Sequence, residues 1–166
     1  MSIADQGHMR AHDISPTDIP AAVLTFFNGE DLLSKTQAVR LATTDADGWP
    51  RALLLSAGEI LFLPDRTVRF AVYGQSGTVA NLARDGRLIL SMALDGGIFE
   101  MRLRAAPCSH QVPDGSLAYF KAEILGARRH AVDYADVTSG ITFAIHDPQP
   151  VLLRWQQQIA ALRIVS

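Results

Sequence analysis

Residues 38–57, AVRLATTDADGWPRALLLSA, hold two short apolar runs on either side of a polar, glycine-bearing break. AVRLATT and RALLLSA repeat with a period of two, the spacing at which successive side chains leave opposite faces of a strand. Between them, Asp47-Gly48 followed by Pro50 has the chemistry of a tight turn. Glycine takes positive φ without steric penalty, and proline fixes its own φ. The stretch reads as a β-hairpin.

The same period continues outward. EILFL (59–63) and TVRFAVY (67–73) are separated by PDR, and after the helix-like TVANLAR (78–84) come RLILSMAL (87–94) and, past Gly96-Gly97, IFEMRLRA (98–105). In the last run Phe99, Met101 and Leu103 fall on one face and Glu100, Arg102 and Arg104 on the other. RALLLSA and RLILSMAL are apolar on both faces, which predicts a barrel whose outside is also covered, for example by a second subunit. Upstream, SPTDIPAAVLTFFNG has helix-start chemistry and an Asn28-Gly29 stop, predicting a helix over 19–27. Downstream, DGSLAYFKAEILGARRHAVDYA (114–135) reads as a helix with Leu117, Phe120 and Ile124 at core spacing. SGITFAIH (139–146) reads as a final strand. PVLLRWQQQIAALRIV (150–165) is ambiguous: its start could extend a strand, while WQQQIAALR favours a helix. Residues 1–15 are polar and aperiodic, predicting a flexible tail, and 16–166 one domain. Many short strands at hairpin spacing with few helices favour an antiparallel barrel over a βαβ sheet.

Composition narrows the function. Of 166 residues 48% are hydrophobic, enough for a core, and 17 acidic side chains against 15 basic leave a formal charge of -2. No basic stripe is present, which argues against a nucleic-acid-binding surface. An anionic ligand must therefore be held locally. Cys108 is the only cysteine, excluding an internal disulfide and a cysteine-built metal cage. No secretory pattern or membrane-length apolar run is visible, so the chain is expected to be soluble and cytoplasmic.

GQSGTVANLARDG (74–86) occupies the corner after TVRFAVY. Gly74 and Gly77 would permit positive φ and close approach of another molecule to the main chain. Ser76 or Thr78 stands where an N-cap belongs, and Gly86 where the helix should end. A helix start leaves backbone N–H groups unpaired and carries partial positive charge, so it can hold a phosphate. Taken alone, the corner reads better as a capped turn without ligand.

The order of these pieces resembles the FMN-binding split-barrel family related to pyridoxamine 5′-phosphate oxidase. The features that carry it are Asp45-Ala46-Asp47-Gly48-Trp49-Pro50, then Arg51 to Ser56, then Ser76, Thr78, Asn81-Leu82 and Asp85-Gly86-Arg87. They cover about residues 38–104. The resemblance implies a mainly β, antiparallel Greek-key split β-barrel with peripheral α-helices, forming a homodimer with FMN between subunits. It implies that Arg51 reaches the FMN phosphate and that Ala52, Leu53 and Leu54 run along the isoalloxazine ring. Val72 and Tyr73 would border the ring or ribityl chain, and Ser76 and Thr78, with Asn81 nearby, would grip the phosphate.

Three departures stand out. Relatives often follow the loop serine with Arg-Lys, where this chain has Gly77-Thr78; two lost charge-assisted contacts are worth roughly 1.5–3 kcal/mol each. Ser56 replaces a lysine that the oxidase uses on its substrate's phosphate. The oxidase's C-terminal Arg-x-His is absent. Vitamin B6 oxidation is therefore disfavoured, and a flavin-dependent oxidoreductase acting on another small molecule is the expected function. Two alternatives stay open: a dimeric binding protein of the same fold without flavin, and a barrel holding haem or deazaflavin. The histidines have no ligand spacing: His8 and His12 lack a third partner, His110 and His130 read as surface or subunit-contact groups, and His146 beside Asp147 reads as a capped strand end. Neither SAGE nor TSGI forms a nucleophile elbow, and Asp85 reads as a helix end. Trp49 reads as a packing residue. Arg154 and Trp155 lie on a segment that could reach the cofactor or simply belong to an amphipathic helix. No catalytic residue and no metal ligand is singled out.

Overall fold

The computed structural model describes residues 10–109 and 116–166. In chain order its elements are β1 (Arg10–Ile14), α1 (Ala21–Phe26), β2 (Val39–Thr44), β3 (Pro50–Leu55), β4 (Ile60–Phe62), β5 (Thr67–Tyr73), α2 (Gly77–Arg84), β6 (Arg87–Leu94), β7 (Gly97–Pro107), β8 (Leu117–Ala131) and α3 (Pro148–Ile164). The strands form one antiparallel sheet in the order β3-β2-β6-β7-β8-β5-β4, with β1 added beside β8. This is the mainly β split barrel that the sequence predicts.

The opening hairpin forms as read. Val39 to Thr44 pair with Leu55 to Pro50, and Gly48 sits at φ +86 in the turn. Asp45 ties the loop together: its Oδ1 accepts the Asp47 and Trp49 N–H groups at 3.0 and 2.9 Å. The helix read over 19–27 forms as the shorter α1, which Lys35 braces by donating to Thr25 O and Asn28 Oδ1.

Period two then divides the chain between two cores. Val68, Phe70 and Val72 of β5, Ile60 and Phe62 of β4, and Phe120 and Ala122 of β8 enter the barrel with Leu41, Leu90, Phe99, Met101 and Leu103. The alternate residues Leu61, Ala71 and Tyr119 leave by the opposite face. There Trp155, Ile159 and Leu162 of α3, spaced i, i+4, i+7, cover them. This accounts for β4 being buried throughout. β3 is different: it is an edge strand with Ala52 and Leu54 exposed, and nothing among the described residues covers them.

Three readings are corrected. Residues 114–135, expected as a helix, contain the longest strand; 110–115 lie outside the described residues. β8 pairs with β7 along its length, with β5 over Leu117–Glu123 and with β1 over Ala127–Ala131. Ladders on both edges override the helix propensity of its Ala, Leu, Lys and Glu residues. A bulge concealed the alternation: Ile124 faces Leu103 and Gly126 faces Arg102, leaving Leu125 as the extra residue. Second, SGITFAIH contributes only an isolated bridge, Thr142 to Gln37, flanked by backbone bonds from the Ala38 N–H to Ile141 O and from the Phe143 N–H to Thr36 O. Third, Arg10–Ile14, placed in the tail, form β1 on the far half of β8, joined by an Arg128–Asp13 ion pair of 2.8 Å. Residues 1–9, including His8, lie outside the described residues. The ambiguous C-terminal run resolves as α3, seventeen residues long. Among the described residues no helix is long and apolar enough to cross a membrane.

Candidate functional site

The corner after β5 is a strand-to-helix turn. Ser76, in extended backbone (φ -72, ψ 150), caps α2; its N–H bonds Tyr73 O and its carbonyl accepts the Val79 N–H. Its side chain does not cap. Ser76 Oγ is buried and makes no hydrogen bond among the described residues. Neither Gly74 nor Gly77 takes the positive φ expected of it. Gly74 instead lies close to the Ser116 carbonyl, and a Cβ on Gly77 would meet open space. Gly86 does not end the helix. Asp85 does, and Gly86 lies against the Ala105 carbonyl, pairing α2's exit to β7.

The expected site residues separate into three groups. Leu53, Leu54, Val72, Tyr73 and Ser76 line one cleft of about 770 Å³, closed on its other side by Arg154, Gln157, Gln158 and Ala161 of α3. That volume suits a small organic ligand. Thr78 and Asn81 are instead buried under α2, where Asn81 Nδ2 donates to Thr43 Oγ1 at 3.0 Å and ties the helix to β2. Arg51 and Ala52 lie on the exposed edge strand outside the cleft, Arg51 Nε donating to Asp45 Oδ2 at 2.8 Å. Ser56, at the end of β3, gives both its N–H and its hydroxyl to Glu59 Oε2 at 2.6 and 3.0 Å. A larger cavity, about 860 Å³, opens between β1, β2, β6, β7 and β8 and contains none of the expected residues. Its carboxylates are already taken, Asp13 by Arg128 and Asp85 by Arg87. The smaller cleft is the better candidate because polar atoms without partners lie there: Ser76 Oγ and Gln158 Oε1.

Gln158 and Glu59 were not legible as site residues. Their only signal is that Arg154, Gln158 and Ala161 share a helical face, which has meaning once α3 is known to lie over β5. Trp155 belongs to the core at 4% exposure, whereas Trp49 is 69% exposed on the hairpin. Among the described residues no three His, Cys, Asp or Glu side chains gather as a metal site. His110 lies outside them, His130 stands 4.0 Å from Glu100, and His146 is exposed just before α3. Burial pushes the Cys108 thiol up, against a nucleophilic role.

Two half-buried carboxylates are held below their usual range. The Trp49 N–H, then Arg51, stabilise ionised Asp45. Arg87 brings Asp85 down to about 2. A depressed carboxylate stabilises the fold above its unfolded value of 3.8 and loses that contribution as pH falls through the folded one. The stability difference between wild type and Asp85→Asn should thus be full at neutral pH, shrink below about pH 4 and be gone only below about pH 2; a difference unchanged across that window in denaturant titrations would refute the assignment.

No protein-family model matches the chain. The uncharacterized protein YclD of Bacillus subtilis is 32% identical over 131 residues, covering 76% of this chain and 83% of YclD. The chain belongs to the YclD family. Among solved structures, a protein of Lactobacillus delbrueckii described as a candidate pyridoxamine 5′-phosphate oxidase superposes with a TM-score of 0.54 at 15% identity, over 69% of this chain and 97% of its own. The fold of this YclD relative is accordingly the pyridoxamine 5′-phosphate oxidase-like split barrel.

Proposed function

We propose that this chain binds FMN in the cleft between β3, the end of β5 and α3, and acts as a flavin-dependent oxidoreductase on a small organic substrate. The observation that carries the reading is Ser76 Oγ: buried, without a partner, lining the cleft at the start of α2. A hydroxyl in that position gains from an oxyanion, and the helix start beside it adds unpaired backbone N–H groups. Gly77 leaves the approach open. Leu54, half exposed, supplies apolar surface for a flat ring, while Leu53 and Val72 border the same cleft with their side chains packed on the barrel core. Bound FMN would supply hydride or electron transfer; the chain's part is to hold the phosphate, shelter the ring and limit access.

The proposal includes a cytoplasmic homodimer. β3 is an edge strand with Leu54 half exposed, and the outward residues of β2 and β6 are half-buried to exposed among the described residues. A second copy on this face would cover them and complete each cleft.

Titration of the protein with FMN, followed by quenching of flavin fluorescence, tests the site. Ser76→Ala should weaken binding about tenfold, the worth of one hydrogen bond to a charged group. Arg51→Ala should do less, because that guanidinium is engaged by Asp45 outside the cleft. Equal affinity for wild type and Ser76→Ala would remove the phosphate from this corner. A chain that ignores FMN altogether would favour a binding protein without flavin.

A further inference from the structure

One face of α3 is turned to the core and another to the cleft. Trp155, Ile159 and Leu162 dock the helix, while Arg154, Gln157, Gln158 and Ala161, at i, i+3, i+4 and i+7, line the cleft. Gln158 is 8% exposed, yet its Oε1 accepts no hydrogen bond among the described residues. An unpaired buried amide oxygen destabilises a fold unless something else supplies the donor. One turn away, Arg154 is the single cation lining the cleft, and it makes no hydrogen bond or ion pair among the described residues. The carboxylate on the wall, Glu59, accepts the Ser56 N–H and hydroxyl at one of its oxygens.

We infer that Arg154 and Gln158 form a ligand-reading pair for a small, flat carboxylate that also carries a hydroxyl or amino donor. The planar guanidinium matches a carboxylate. Gln158 Oε1 accepts from the donor. The two positions are one helical turn apart, about 5–6 Å, which sets the spacing of the two groups on the ligand. Leu54, half exposed, lines the same cleft and suits an unsaturated or aromatic body. In treating this ligand as a co-substrate the inference rests on the flavin reading; the binding itself does not.

The test uses the full chain, with and without FMN, and three probes of one shape. 4-Hydroxybenzoate has both groups, 4-hydroxybenzamide lacks the charge, and benzoate lacks the donor. Calorimetry should give wild type a preference for 4-hydroxybenzoate over the amide of about ten- to hundredfold, lost in Arg154→Leu and partly restored in Arg154→Lys. Gln158→Leu should weaken 4-hydroxybenzoate about three- to tenfold while leaving benzoate unchanged. It should also raise the melting temperature of the ligand-free chain by about 2–4 °C, which a purely structural glutamine would not do. Equal affinity for acid and amide, uniform loss of all three probes in either variant, or no binding of 4-hydroxybenzoate near 10 mM (roughly the weakest specific range) overturns the inference. A chain that ignores FMN but keeps the discrimination sinks the flavin reading and supports this one.

Discussion

Phe120→Ala is expected to lower the stability of this protein by about 3–5 kcal/mol, the usual cost of removing a fully buried ring from a core. Phe120 is 1% exposed and stacks on Phe70, its cross-strand partner, with centroids 5.4 Å apart and planes 13° from parallel. The neighbouring strands are fixed by ladders on both sides of β8, so the void can collapse little. For a chain of this size the melting temperature should fall by roughly 10 °C or more. Tyr119, one residue earlier, offers the decisive contrast. It is equally buried but belongs to the second core under α3. Adjacent residues buried in opposite directions belong to a strand between two layers, so Tyr119→Ala should also cost several kcal/mol. A loss below about 1 kcal/mol at either position would restore the helical reading of this segment.

The second large effect falls on Gly58. A Cβ there would stand 2.5 Å from Trp155 Cδ1 and 2.6 Å from its Cβ, and closer still to Cγ. The indole is packed edge-on against Phe143 and cannot retreat freely. Gly58→Ala should therefore cost about 2–3 kcal/mol by overpacking, and should shift α3, reducing ligand binding in the cleft along with stability. Trp155→Ala alone should cost about 3–5 kcal/mol through the cavity it leaves. The two should add less than fully: removing the indole relieves the contacts at Cγ and Cδ1, while the Cβ of residue 155 still stands 2.6 Å from the new methyl, so Gly58→Ala should keep only part of its cost. Denaturant unfolding of the four proteins measures the coupling. Additive losses would mean that α3 does not rest on Gly58.

The hairpin of β2 and β3 was fully legible, since its signal lies within twenty residues: alternation, a flexible glycine at the bend and a proline after it. The same holds for β4 to β7 and α2. The candidate site was half legible. Leu53, Leu54, Val72, Tyr73 and Ser76 do meet in one cleft, but Thr78 and Asn81 are spent fixing α2, and Arg51 answers to Asp45. No local pattern distinguishes an asparagine that binds a ligand from one that binds Thr43, because the choice depends on which strand lies behind the helix.

Turn chemistry and period two, read from the amino acids alone, were enough to determine a mainly β antiparallel barrel and the corner where α2 begins. Tertiary structure alone decided that 117–131 extend as a strand, that residues 10–14 join its far end, and that α3 brings Arg154 and Gln158 over β5. Each of those outcomes depends on partners dozens of residues away. Backbone groups of β8 are satisfied by three strands at once, and the indole of Trp155 fits only where Gly58 leaves space for it.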